Sequence, residues 1–243
     1  MQVKVINTER HFYDEQDAVP IAKGMYHKVS ALPLTVRIGA RKKVVNVFVR
    51  EPKGDYSDIE NSPKLAATRA ILLSHGIPVI PMFRVEEETG KIFMTDLTEK
   101  GLYLVHSPNS ALEASVDKQI DFQILNISID TFIQKLHVFL EKVILAHCQI
   151  VHEDAVFFKI GLQDHMVDFL IGDYKWIRHA PDVDEEQRWL FSAHSLFSGA
   201  QKICRICGNI EISNRLGAIA QDFCERANSR KFLLHRNREK RVL

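Results

Sequence analysis

The stretch QIVHEDAVFFKI, residues 149–160, sets an imidazole and two carboxylates side by side at His152, Glu153 and Asp154. Two alternatives follow from those residue types in that place. Either Asp154 is a general base that takes a proton from a bound hydroxyl, or the triplet is an acidic turn between a helix and a hairpin. Asp173 follows Asp154 by 19 positions, at the end of the apolar run MVDFLIGDY. Asp168 is a rival carboxylate, but its place in the middle of that run turns it sideways on a strand.

These residues need a scaffold, and the composition bounds it. The chain has 243 residues, 46% hydrophobic and 26% charged. That suits one large globular domain or two small lobes sharing a cleft. Net charge is +1, from 32 basic and 31 acidic residues, so no whole-chain field selects nucleic acid or membrane. Four cysteines, Cys148, Cys204, Cys207 and Cys224, are too few and too irregular for a disulfide framework, and a cytoplasmic setting is expected. Cys204-Arg205-Ile206-Cys207 lies in helical sequence without a second ligand pair, so it reads as core or incidental cysteine. The N-terminal residues are too polar for a signal peptide, and no apolar run approaches the roughly 20 residues that span a bilayer.

Along the chain, an α+β pattern emerges. Residues 1–98 read as a strand-rich lobe with one helix, and 99–243 as a mainly helical lobe with one hairpin. Runs Leu34–Ile38 and Val44–Arg50 are strands. SPKLAATRAILLSHG predicts a helix with Ser62 as N-cap, Pro63 first and Gly76 left-handed at its end, with Leu65, Arg69, Leu72 and Leu73 on one side. VIPMFRVEEETGKIFMTDL predicts a hairpin turning at Glu88-Thr89-Gly90. Phe132, Leu136, Phe139, Leu140, Val143 and Ile144 fall at helical spacing, with Thr131 and Gln134 as a capping box. AVFFKIGLQDHMVDFLIGDYKWI predicts a second hairpin, and helices fill the remainder from Asp184.

Five stretches, in this order, carry a resemblance. IAKGMYHKV has the spacing G-x-G-x-x-G-x-V with Gly24 at the middle glycine, and Arg50 closes VVNVFVR. HGIPVIPMF and FMTDLTEKG follow the helix. IVHEDAVFFKI fits H-x-D-x-x-x-x-N through His152 and Asp154, with Asp173 at the expected distance beyond. Together these resemble the protein-kinase-like superfamily, closest to the small bacterial phosphotransferase branch that includes aminoglycoside phosphotransferases and lipopolysaccharide-core sugar kinases. The resemblance implies a two-lobe fold with ATP and Mg²⁺ as cofactors. In it Asp154 is the catalytic base and His152 braces its loop. Asp173 is the metal ligand, while Gly24 and Arg50 meet the nucleotide phosphates.

The pattern is also broken. Lys159 stands where the family has a metal-binding asparagine, and no asparagine occurs between Asp154 and Asp173. A lysine there sets positive charge where a second divalent ion would bind, standing in for it or opposing it. The predicted helix supplies no glutamate to pair with Arg50; Glu60 lies just outside it. Two functions follow from the resemblance. One is an atypical ATP-dependent phosphotransferase of a small-molecule, sugar or glycolipid hydroxyl, since little chain after Asp173 is left for docking peptides. The other is a pseudokinase, a nucleotide-binding or regulatory module without phosphoryl transfer. The tail SRKFLLHRNREKRVL, with six basic residues against one acid, is either solvated or touches an anionic surface.

Overall fold

The computed structural model describes residues 18–23, 27–38, 41–53, 63–85, 91–98, 101–116 and 125–239. The architecture is α+β, with antiparallel sheets and five helices among the described residues. The chain divides into two compact units. One holds Met1–Leu65 and Ile80–Lys100, the other Ala66–Val79 and Gly101–Leu243. The first helix, which the sequence groups with the strands, thus belongs from Ala66 onward to the second unit.

The first unit is a five-stranded antiparallel sheet in the order β1-β2-β3-β5-β4. Its strands are β1 (Val19–Lys23), β2 (His27–Ile38), β3 (Arg41–Pro52), β4 (Met82–Val85) and β5 (Ile92–Thr95). β2 and β3 are longer than the predicted runs, because twelve successive residues pair from His27↔Pro52 to Ile38↔Arg41. Period-two alternation on β3 buries Val47 and Val49 with Leu32 and Phe93, and Ala18 packs against them. Arg50, opposite Ile92 in the register, belongs to the other face. Gly24, Glu60, Ser62 and the predicted turn at Glu88-Thr89-Gly90 lie outside the described residues.

In the second unit α1 (Pro63–Ser74) ends as predicted. Gly76 takes φ +63°, its N–H donates to Leu73 O at 3.1 Å, and Ile77 N–H donates to Leu72 O at 3.0 Å. That pair of bonds is a Schellman motif, and it turns Ile77 back over Leu72, both buried. Leu73 is exposed instead of sharing Leu72's face; Thr68 and Leu72 make the buried stripe. The chain then runs beside β9, where Ile171 N–H donates to Pro78 O at 2.8 Å.

The remaining strands are β6 (Tyr103–His106), β7 (Cys148–Ile150), β8 (Val156–Gly161), β9 (Val167–Ile171) and β10 (Ile177–His179). They form a three-stranded sheet β6-β8-β9 and a pair β7-β10. The other helices are α2 (Pro108–Val116), α3 (Ile129–Leu145), α4 (Glu185–Ile206) and α5 (Ile210–Glu239). The six apolar positions predicted for α3 are all buried. Phe132 and Phe139 meet Phe169 of the β8–β9 hairpin, and Phe158 meets it edge-on at 5.4 Å. The cap of α3 sits three residues earlier than predicted: Ser128 Oγ accepts from Thr131 N–H at 3.3 Å, so Thr131 lies inside the first turn. No helix among the described residues is long and apolar enough to cross a membrane.

Candidate functional site

β7 is pinned to α4 where Ile150 N–H donates to the buried Ser192 Oγ at 2.9 Å. The chain then makes a 3₁₀ turn at Glu153–Ala155. His152 caps that turn: its Nδ1 accepts from Asp154 N–H at 3.2 Å, and its ring stacks on Trp176 with centroids 4.6 Å apart. An accepting Nδ1 places the proton of the neutral ring on Nε2.

The Asp154 carboxylate faces the start of α2, and the first backbone donors of that helix can be accounted for one by one. Pro108, at the first position, has no N–H. Asn109 N–H donates to Asp154 Oδ1 at 3.0 Å. Ser110 N–H donates to Ser107 Oγ at 3.4 Å, and Ala111 N–H to Ser107 O at 2.9 Å. Asp154 Oδ2 takes a further bond from Asn109 Nδ2 at 2.6 Å. Lys202 of α4 donates to Asn109 Oδ1 at 3.2 Å and pairs closely with Glu153. An ammonium can only donate, so the Asn109 oxygen must face Lys202 and its NH₂ must face Asp154.

Asp173 opens a second 3₁₀ turn, Tyr174–Trp176. One carboxylate oxygen accepts from Lys175 N–H at 3.3 Å, and the other lies 3.3 Å from Lys175 Nζ. These side chains are mostly covered, 13% exposed for Asp173 and 19% for Lys175. The Lys175 ammonium also stands 5.2 Å from the centre of the Trp176 ring. The two turns share one acceptor: Ala155 O receives Gly172 N–H at 2.9 Å and Asp173 N–H at 3.3 Å. His152, Asp154 and Asp173 therefore stand on adjoining turns.

The chain matches no protein-family model and no curated protein.

Lys159 goes elsewhere. β8 begins at Val156, directly after the first turn. An extended chain advances about 3.3 Å per residue, so Lys159 lies roughly 10 Å along the strand from Val156. Its Nζ sits over the Tyr103 ring at 3.8 Å, and its register partners are Val105 and Asp168. Asp168 is exposed and bridges to Lys135 at 3.1 Å. On the same strand Phe157 covers Gly172 so closely that a Cβ there would lie 2.2 Å from a ring carbon. Arg50 belongs to the first unit, and Gly24 lies outside the described residues.

Cys204 on α4 and Cys207 at its C-cap are both buried. Burial, reinforced by its neighbour Cys207, pushes the Cys204 thiol up, and burial pushes Cys207 up to about 12. Such thiols are poor nucleophiles and poor ligands at neutral pH. Among the described residues no group of three or more His, Cys, Asp or Glu is arranged to hold a metal ion. Asn109, Lys202 and Lys175 were missed by the reading of motifs. The run Ser107-Pro108-Asn109-Ser110 does carry a helix-start signature, and Lys175 stands two residues beyond Asp173.

Proposed function

We propose that this chain is a kinase-like module that binds a nucleotide and works through that binding, without phosphoryl transfer. The order of elements supports the kinase-like part. In chain order a helix falls between the third and fourth strands of the five-stranded antiparallel sheet, and a later hairpin separates Asp154 from Asp173. The observation that carries the loss of transfer is the pair of hydrogen bonds that Asn109 donates to Asp154. It ties both oxygens of the expected base to Asn109, one through the backbone N–H at the start of α2 and the other through the side-chain amide. Lys159 adds to this, since its strand presents an ammonium, not a side-chain amide, at the position of the family's asparagine. A cytoplasmic setting, rich in nucleotide and reducing toward the four thiols, goes with this reading.

The shared Ala155 acceptor favours a second reading, an atypical phosphotransferase of a small-molecule or sugar hydroxyl. Each carboxylate oxygen has two lone pairs, and Asn109 uses one on each. Asp154 would then keep room for a substrate proton. Thermal unfolding with ATP, alongside release of labelled phosphate, separates the two. The binding module predicts a rise in melting temperature, no turnover, and nucleotide affinity unchanged in Asp154→Ala. Turnover abolished by Asp154→Ala would replace it with the second reading. The absence of any ATP-induced shift would overturn both.

A further inference from the structure

We propose that Lys175 is the resident cation of Asp173, so that phosphate groups at this site meet a lysine ammonium and no divalent ion binds. This rests on the nucleotide-binding reading and specifies its chemistry. The resemblance implies Mg²⁺ on Asp173, but the donor set does not fit it. Lys175 engages both oxygens of that carboxylate, one through its backbone N–H and the other through Nζ, each at 3.3 Å. The ring is closed within a single turn, and Asp173 caps that turn, so the pairing is part of the local fold.

The ammonium is held from a second side. It lies near the Trp176 ring, whose own position is fixed by stacking on His152 at 4.6 Å. A divalent ion on Asp173 would have to expel a mostly covered ammonium or tolerate another cation a few ångströms away. Mg²⁺ binds through one or two carboxylates and the substrate's phosphates. Both carboxylates on the adjoining turn are already engaged, Asp154 by Asn109 and Glu153 by Lys202. A lysine carries three donors and recognises phosphate as a point charge, so charge neutralisation at Asp173 is retained while the metal is dispensed with.

The test uses the full chain and Mn²⁺, followed by the electron paramagnetic resonance signal of the free ion. Wild-type protein is expected to leave the signal unchanged. Lys175→Met is expected to create one Mn²⁺ site, lost again in Lys175→Met/Asp173→Asn. Lys175→Arg, which keeps a cation, is expected to behave as wild type. One equivalent of Mn²⁺ taken up by wild type and released by Asp173→Asn would overturn the proposal. So would a folded Lys175→Met protein that binds no Mn²⁺, because the lysine would then not be what excludes the ion. A second arm titrates a fluorescent ATP analogue in EDTA and in Mg²⁺. Equal affinities are expected for wild type, with metal-free binding weakened about tenfold in Lys175→Met. Tighter wild-type binding in Mg²⁺ counts against the resident cation. If no nucleotide binds at all, the nucleotide-binding function falls, and the Mn²⁺ arm still decides the role of Lys175.

Discussion

Asn109 grips both oxygens of Asp154, one through its backbone N–H at 3.0 Å and the other through its side-chain amide at 2.6 Å. The pairing links residues 45 positions apart and supplies the acceptor that the second residue of α2 needs. Removing the acceptor leaves a partly buried helix start short of one bond. Asp154→Ala is therefore expected to cost about 1–2 kcal/mol of stability, the usual scale for losing a helix cap. Asn109→Ala keeps the backbone donor and should cost about 1 kcal/mol. In a urea-denaturation double-mutant cycle the two effects should fall short of additivity by about 0.5–1 kcal/mol. Simple additivity would mean the two side chains do not interact.

Gly199 faces the same junction from α4. A Cβ there would stand 2.9 Å from Pro108 Cγ and 3.4 Å from Glu153 Cβ. Alanine in a helix interior gains about 1 kcal/mol over glycine in propensity. Forcing apart a rigid proline ring and a short 3₁₀ turn costs about 1–3 kcal/mol. The clash should win, and Gly199→Ala is expected to lower the melting temperature. A rise would show that α2 shifts freely against α4.

Arg188, almost wholly buried, gathers the carbonyls of Ala180, Pro181 and Val183 with NH1, and its NH2 lies 3.3 Å from His147 Nδ1. Its Nε has no hydrogen-bond partner. The guanidinium thus ties the exit of β10 to the entry of β7. Arg188→Met strands those carbonyls and should cost about 3 kcal/mol in chemical denaturation. Arg188→Lys keeps the charge but not the planar fork, so it should recover only part of the loss.

Burial lowers the pKa of His106, on β6, below its ordinary 6.5. In the window from 6.5 down to that depressed value, the unfolded chain binds a proton that the folded chain refuses. Stability is complete above 6.5 and falls as pH drops through the window. His106→Gln should flatten that acid limb in a pH series of melting temperatures; an unchanged slope would clear His106 of responsibility.

The alkaline side has the opposite sign. Burial raises Cys148 from 9.0 to about 11, with Arg188 pulling weakly the other way, and Cys207 to about 12. Unfolded thiols ionise first, so this contribution is complete below 9.0 and lost as pH rises toward those values. At neutral pH, Cys224, the one cysteine not fully buried, should react first with a thiol reagent. Labelling of the other three should wait on unfolding.

The parts of the fold legible in the sequence are those that local rules specify. Pro63 and Gly76 bracket α1 because one lacks a donor and the other accepts positive φ. The six apolar residues of α3 keep helical period because they share one buried face. Where distant partners decide, local rules fail. β6 is four residues long and half-buried, and it exists as a strand because β8 pairs with it from Tyr103↔Gly161 to His106↔Phe158. Leu73 looks like a core residue by type, yet Thr68 and Leu72 occupy the covered side. The motif spacing singled out Asp154 and Asp173, and these stand on adjoining turns. Their partners, Asn109 and Lys175, were not read, the first because it arrives from a helix far away in the chain.

The Pro78 carbonyl that receives Ile171 N–H has a consequence for how this fold can be divided. The chain passes between its two compact units three times, at Leu65–Ala66, Val79–Ile80 and Lys100–Gly101. A fragment cut at Gly101 would keep Glu153, Asp154, Asp168 and Asp173 and yet lack α1 and the segment beside β9. Ile171, fully buried, would lose its backbone acceptor and its neighbour Val79. The larger unit is thus not inherited as one continuous stretch of gene, and recombination that respects the fold must carry residues 66–79 along with everything after residue 100.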